Sequence, residues 1–367
     1  MAAHPDAMIV VRTIQVDTPE TVVTLPLWAW HLLAFVLPVA TLAALVTGPH
    51  GLPGALLVFS LIPLSVMLDN RAGPSLSQPD ASISPAPFNV MVLLLTVMQV
   101  CNVVLLGRQV AITGLDHGGT WVLAFTVGIN SGYSAIVVAH ELIHRSNPTL
   151  QSLGRLLLST VCYEHFFTEH VRGHHARVGT PEDGATARYG ESFRAFWKRT
   201  VKQQFVSAWR LEQKRLGDVD MKVWDARNLR NRNLHGILMA LAWLVGLGLA
   251  FGPGAGVLFL FQAYWAVKLL EAVNYFEHWG LTRSGKKVQV VDSWDTDNWF
   301  TRFTLVGLSR HADHHAHASR PYQQLRHFDE SPKLPRGYFG TALMGMFQNE
   351  RFQEEMKARL AQRGIRP

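Results

Sequence analysis

Six apolar runs, at about 26–46, 51–68, 88–107, 120–140, 236–252 and 255–276, constrain the possible fold of this chain more than any other feature. A helix that crosses the hydrocarbon core needs about 20 apolar residues, and the first, third, fourth and sixth runs supply them. The second and fifth are shorter and carry Pro53, Pro63 and several glycines, so an ordinary core helix competes at both. Six spans is the expected count. Because lipid offers the backbone no hydrogen-bond partners, spanning runs of this length must be helical. The fold class follows: all-α, an integral membrane protein with about six transmembrane helices.

Charge sets the expected orientation. Of the 34 Lys and Arg residues, 16 fall between Arg145 and Arg232 and 14 between Arg283 and Arg366; only Arg12, Arg71, Arg108 and Lys268 lie elsewhere. With six spans, the two basic segments share a side with both termini, and the positive-inside rule makes that side cytoplasmic. The net charge of +7 is therefore a topology signal, and without a recognition module it does not point to nucleic acid. No secretory signal peptide is evident, since the first apolar run begins late and is preceded by Asp6, Asp17 and Glu20. The expected layout is an N-terminal arm (1–25), four spans (26–140), a cytoplasmic histidine-rich and amphipathic segment (141–234), two spans (235–276) and a cytoplasmic C-terminal segment (277–367).

Nine histidines carry the chemistry. His140 and His144 stand four apart in HELIHR, where the fourth run emerges, and on a helix they share one face. His170 and His174 repeat that spacing in EHVRGHHARVGT, with His175 adjacent; His278 stands in NYFEHWG, and His311, His314 and His315 in SRHADHHAH. Neutral imidazole is the commonest nitrogen ligand of transition metals, and nine exceed the coordination of one ion. Two metals are expected. His4, His31, His50, His117, His165, His235 and His327 lack a partner at ligand spacing and read as ordinary surface or core histidines. Cys101 and Cys162 are too far apart and too few for a thiolate site.

Between these landmarks the chain is less specific. The arm's VRTIQVDTPETVVTL suggests a short strand or turn, and residues 70–87 a polar Ser- and Pro-rich loop. Asn89, Gln99 and Asn102 in the third run need interhelical partners, while Gly128, Ser131, Gly132 and Ser134 in the fourth allow close helix approach. Residues 150–162 are too short to span. A basic amphipathic helix through about residue 216, with Trp197, Trp209 and a later Trp224, suits the headgroup surface. Lys268 and Glu271 lie three apart and are expected to pair. Glu271 and Asn274 continue toward His278 and are expected to orient imidazoles.

HELIH alone matches the H-E-x-x-H pattern of zinc proteases, which leaves six of the clustered histidines unused. Taken together, HELIHR, EHVRGHHARVGTPEDGATAR, NYFEHWGL and SRHADHHAHASRPYQQL, with GESFRAFWKRT between them, closely resemble the bacterial alkane monooxygenases. These are membrane non-haem di-iron enzymes related to desaturases, fatty-acid hydroxylases and xylene monooxygenases. The resemblance spans about residues 140–340.

The resemblance implies nine ligands, His140, His144, His170, His174, His175, His278, His311, His314 and His315, holding two irons. His317 lies outside that set. It also implies O2-dependent terminal hydroxylation of n-alkanes drawn from the bilayer of a bacterial inner membrane, with the site facing the cytoplasm. The chain carries neither a G-x-G-x-x-G fingerprint nor the cysteines of an iron–sulfur centre, so electrons must arrive from another protein, and the resemblance implies rubredoxin with its reductase. Arg172, Arg177, Arg188, Arg320 and Arg326 are candidates for docking that acidic donor. Glu141, Glu169, Asp183, Glu277 and Asp313 flank the histidines and are expected to orient imidazoles, to pair with Arg145, Arg172 and Arg310, or in one case to bridge the metals. A fatty-acid or alkyl-aromatic hydroxylase or desaturase, an intramembrane zinc protease and a non-catalytic metal carrier remain as alternatives.

Overall fold

The structure, a computed structural model, describes residues 25–80, 82–283 and 285–364. Except for Leu25, the expected N-terminal arm falls outside them. In chain order the helices are α1 (Leu27–Thr47), α2 (Gly51–Arg71), α3 (Ala86–Thr113), α4 (Gly118–Ile143) and α5 (Pro148–Ser159). They continue with α6 (residues 166–177), α7 (Phe193–Arg215), α8 (Arg232–Phe251), α9 (Pro253–Glu277) and α10 (Trp299–Thr304). The last three are α11 (His311–Ala316), α12 (Tyr338–Phe347) and α13 (Asn349–Gln362). Among the described residues the only β-pairing is two isolated bridges, Pro74 with Asn298 and Asp295 with Lys333.

Six helices, α1 to α4, α8 and α9, are long and apolar enough to cross a membrane. The two doubtful runs extend to 21 and 20 residues as α2 and α8, yet only 6% and 11% of their most apolar windows are buried within the protein. Apolar surface left uncovered to that degree requires lipid, which removes the core-helix reading. By contrast α4 is 83% buried and forms the centre of the bundle.

Small residues fix how closely α4 and α9 approach. A Cβ on Gly128 would lie 2.9 Å from the Gln262 carbonyl, and one on Gly132 3.0 Å from Leu269. Polar side chains complete the seam: Gln99 Nε2 donates to Ser131 Oγ at 2.8 Å, and Ser131 Oγ donates to Gln262 Oε1 at 2.7 Å. Gln262 Nε2 donates in turn to the Thr160 carbonyl at 2.7 Å, so the expected need of α3 for interhelical partners is met at Gln99.

On the basic side, α5 starts at Asn147, whose side chain caps Thr149 N at 2.8 Å, and returns the chain to the bundle. Helix α7 buries Phe193, Phe196 and Ala208 against α6 and α9, with Trp197 6.0 Å from Tyr264. Residues 70–80, read from sequence as a plain polar loop, form a strap across the last histidine segment. Ser75 N donates to the Asp297 carbonyl at 2.6 Å, Arg302 Nη1 to Ser75 Oγ at 2.8 Å, and Arg310 Nη2 to the Ser77 carbonyl at 2.6 Å. Helix α13 buries Phe352, Met356 and Leu360, one turn apart, against Tyr275 and Trp279.

Candidate metal centre

The fourth span delivers the first histidine pair. Its Ser131–Ile136 segment winds as a π-helix and returns to α-geometry over Val137–Ile143, so His140 and His144 emerge on one face with ring centroids 5.1 Å apart. A second π-segment, Glu169–His174, lies inside α6. Its i→i+5 winding puts His170 and His175 side by side, with Nε2 atoms 3.0 Å apart. His174, four residues from His170, instead faces His315.

Helix α9 ends at Glu277 and leaves His278 at its C-cap, out of helical geometry (φ −130°, ψ 9°). Short α11 then inserts three imidazoles from the opposite side. The nine expected residues converge, and they divide. His140, His144, His170, His175 and His314 form one group, with ligand nitrogens all within 4.8 Å of one another. His174, His278 and His315 form a second, which His311 joins through His278. The groups abut where the rings of His175 and His315 stack at 4.4 Å.

Spacing between nitrogens tests whether the residues fit metal. Two imidazole nitrogens bound at right angles to an ion at about 2.1 Å lie about 3.0 Å apart, and somewhat more at a tetrahedral angle. The Nε2 atoms of His175 and His314 are 3.1 Å apart, those of His278 and His311 3.2 Å, and those of His174 and His315 3.3 Å. His175 Nε2 faces both His170 and His314, yet one ring nitrogen carries either one proton or one lone pair and serves one hydrogen bond. His140 Nε2 and His144 Nε2 are buried with no partner. Burial first, then neighbouring imidazoles, hold His170, His175, His311, His314 and His315 well below the ordinary histidine range, so they are neutral ligands at pH 7. The residues fit a metal centre with two positions.

Around the rings, each flanking carboxylate has a distinct assignment. Asp183 Oδ2 lies 2.8 Å from His174 Nδ1 and accepts from Thr186 Oγ1 at 2.6 Å. Burial pushes the Asp183 carboxyl up, but His174 and then Thr186 pull it down to about 2, so a carboxylate fixes this ring with Nε2 facing its group. Glu277 Oε1 lies 3.2 Å from His311 Nδ1 and accepts from Tyr338 Oη at 2.8 Å. Glu141 pairs with Arg145 at 2.5 Å and Glu169 with Arg177 at 2.6 Å. Asp313 binds Arg320, His317 and the Arg326 backbone amide, anchoring α11 from behind. His317 thus acts on Asp313.

Three sequence expectations are corrected here. Lys268 does not meet Glu271: it lies over the rings of Tyr264 and Trp265, while buried Glu271 accepts from Tyr163, Thr200, Gln204 and Asn274. Three residues of α-helix do not override a better set of neutral donors from α7. Glu271 and Asn274 are accordingly occupied with each other, and no hydrogen bond joins either to an imidazole among the described residues. Arg310 pairs with no flanking carboxylate but holds the carbonyls of Leu325, Ser75 and Ser77, and Arg172 faces Glu212 at 3.6 Å. Tyr338 and Tyr163 were missed because their roles depend on partners 61 and 108 positions away, a relation no local motif carries; Thr186, three residues after Asp183, was missed although it lies beside its partner in sequence.

An apolar cavity opens onto the centre. His140, His170, His311 and Glu277 line one end, Ile136, Leu269 and Phe339 its length, and Phe125 and Trp265 the other, their rings edge-to-face at 4.7 Å. No Lys or Arg lines it.

Comparison with known proteins agrees with this architecture. Residues 118–341 match the fatty acid desaturase family model. Alkane 1-monooxygenase 1 of Pseudomonas aeruginosa is 37% identical over 334 residues, covering 87% of this chain and 86% of that protein. Alkane 1-monooxygenase 2 of the same organism is 43% identical over 62% of this chain and 60% of its own length. Alkane 1-monooxygenase 2 of Alcanivorax borkumensis is 38% identical over 59% and 57%. Six membrane-length helices, nine converging imidazoles and these similarities lead to one conclusion: the chain belongs to the alkane 1-monooxygenase family, within the membrane fatty acid desaturase superfamily.

Proposed function

We propose that this protein is a rubredoxin-dependent alkane 1-monooxygenase, which inserts one atom of O2 into the terminal C–H bond of an n-alkane. The observation that carries this reading is the apolar cavity ending on both histidine groups. The reaction takes up two electrons and two protons and yields the primary alcohol and water. His140, His144, His170, His175 and His314 would hold one iron and His174, His278, His311 and His315 the other, and the pair would supply O2 activation and attack on an unactivated methyl group.

The chain's own residues do the positioning. An alkane offers no polar handle, so its orientation comes from wall shape along Ile136, Leu269 and Phe339, which also exclude water from the reacting end. Asp183 holds His174 Nδ1 so that its Nε2 lone pair faces inward, and Glu277 stands 3.2 Å from His311 Nδ1. A fatty-acid carboxylate would need a cation in the cavity, and none lines it. The protease reading requires Glu141 as a free base, whereas that carboxylate is taken by Arg145.

The basic segments support a centre on the cytoplasmic side of the inner membrane, where an acidic rubredoxin can reach it. Of the five docking candidates, Arg177 and Arg320 are engaged with Glu169 and Asp313, leaving exposed Arg188 and Arg326 the better placed. The test is turnover of dodecane under 18O2 by the iron-loaded protein with rubredoxin, its reductase and NAD(P)H. One 18O atom in 1-dodecanol is the expected result; an alkene, or alcohol without label, would overturn the proposal.

A further inference from the structure

A second pocket, of about 210 Å³, lies between residues 162–165, α7 and α8, outside the histidine centre. Its polar residues are buried: Glu164, His165 and Asn233 are 3%, 9% and 1% exposed. Glu164 Oε2, His165 Nε2 and both amide atoms of Asn233 have no hydrogen-bond partner. Leaving four such atoms dry is costly, so the site suits a ligand whose polar end meets some of them. Space beside the carboxylate exists because residue 236 is glycine: a Cβ there would fall 2.1 Å from Glu164 Oε2. The remaining wall is apolar and reaches the lipid-facing surface, where Ile237, Leu241 and Leu260 are exposed.

We propose that this pocket binds the hydroxyl end of an aliphatic primary alcohol taken from, or released to, the bilayer. Arg155 Nε already donates to Glu164 Oε1, so an anionic head would meet a carboxylate and a cationic head an arginine. A neutral head fits both. A hydroxyl donates to Glu164 Oε2 and accepts from the Asn233 amide, whereas an ester only accepts and an alkane does neither. The tail then lies along Ile237, Leu241 and Leu260, in contact with lipid. One residue beyond His165, the Phe166 ring stacks on His170 at 4.6 Å, so the pocket adjoins the five-histidine group. The choice of an alcohol among hydroxyl-bearing amphiphiles rests on the proposed hydroxylation.

The test uses the full-length, metal-loaded protein in nanodiscs, without reductant, and a long-chain primary alcohol carrying a diazirine. Photolabelling is expected at residues 162–165 and 233–244, reduced about tenfold by excess 1-dodecanol but not by dodecane or dodecyl acetate. Asn233→Leu removes the polar partner and Ala240→Trp fills the pocket from α8; each lowers labelling to a similar extent with metal content unchanged. Equal competition by dodecane or the acetate, or labelling confined to other surfaces, would overturn the proposal. Because no turnover is involved, that result would leave the hydroxylation reading intact, and loss of 18O incorporation with labelling preserved would do the reverse.

Discussion

The Nε2 atoms of His170 and His175 lie 3.0 Å apart although five residues separate them. In an α-helix the fifth residue sits about 140° around the axis from the first, too far to share an ion. The π-winding of Glu169–His174 inserts the extra residue that closes this angle, and it releases His174 to the other group. Adjacent residues, His174 and His175, thereby fall in different histidine groups.

Metal content should follow this partition. Replacing His140 or His175 by Ala is expected to leave about one tightly held ion per chain, as is His278→Ala, but spectroscopy should find different ions remaining. His50→Ala and His235→Ala should keep both. Equal loss of both ions from every variant would show that the groups are not independent.

Asp183→Asn should weaken one position selectively. The amide no longer stabilises the His174 Nδ1 proton, and changes of this kind cost about 10- to 100-fold in metal affinity. Thr186→Val should cost less, because it removes only one donor to the carboxylate. Metal titration against a competing chelator measures both.

Glu169 is fully buried and its partner Arg177 lies at the rim, so the pair staples the ends of the π-segment. Arg177→Met leaves a buried carboxylate without its cation, at a cost of about 3 kcal/mol or more. Adding Glu169→Gln should restore part of that loss in a thermal unfolding assay. Strictly additive effects would mean that the staple contributes nothing.

Lys268 and Glu271 should behave independently. Lys268→Leu removes a cation from the lipid-side face of α9 and should change stability little. Glu271→Leu strands Tyr163, Thr200 and Asn274, while Gln204 still donates to Thr200 Oγ1, and should cost about 3 kcal/mol or more, since each buried donor left unpaired costs about 1–3 kcal/mol. The double variant should match the sum.

The end of the cavity should set chain length. Trp265 lies twelve residues before Glu277 on α9, about 18 Å along the axis at 1.5 Å per residue. With bonds of about 1.5 Å, an extended hydrocarbon advances about 1.3 Å per carbon, so about fourteen carbons reach from end to end. Trp265→Ala should extend the longest alkane hydroxylated by several carbons, and Ile136→Trp, nearer the histidines, should shorten it; the products of a mixed-alkane incubation, resolved by chromatography, give both limits.

Much of this protein was legible in the linear order of its residues. Apolar length reports directly on bilayer thickness, so all six spans could be read, and α2 and α8 needed only their exposed faces to be separated from core helices. Histidine is chemically distinct enough that nine clustered copies announce a metal centre. What tertiary structure alone decided was which nitrogens face one another. That depends on a π-turn in α6, a helix end before His278, and an α11 presented by the strap of residues 70–80, none of which has a local signal. The fate of Glu271 makes the same point: spacing offered it Lys268, but burial, three neutral donors from distant segments and Asn274 on its own helix offered a better-satisfied site, and in a low-dielectric interior complete hydrogen bonding outweighs the pairing that spacing suggests.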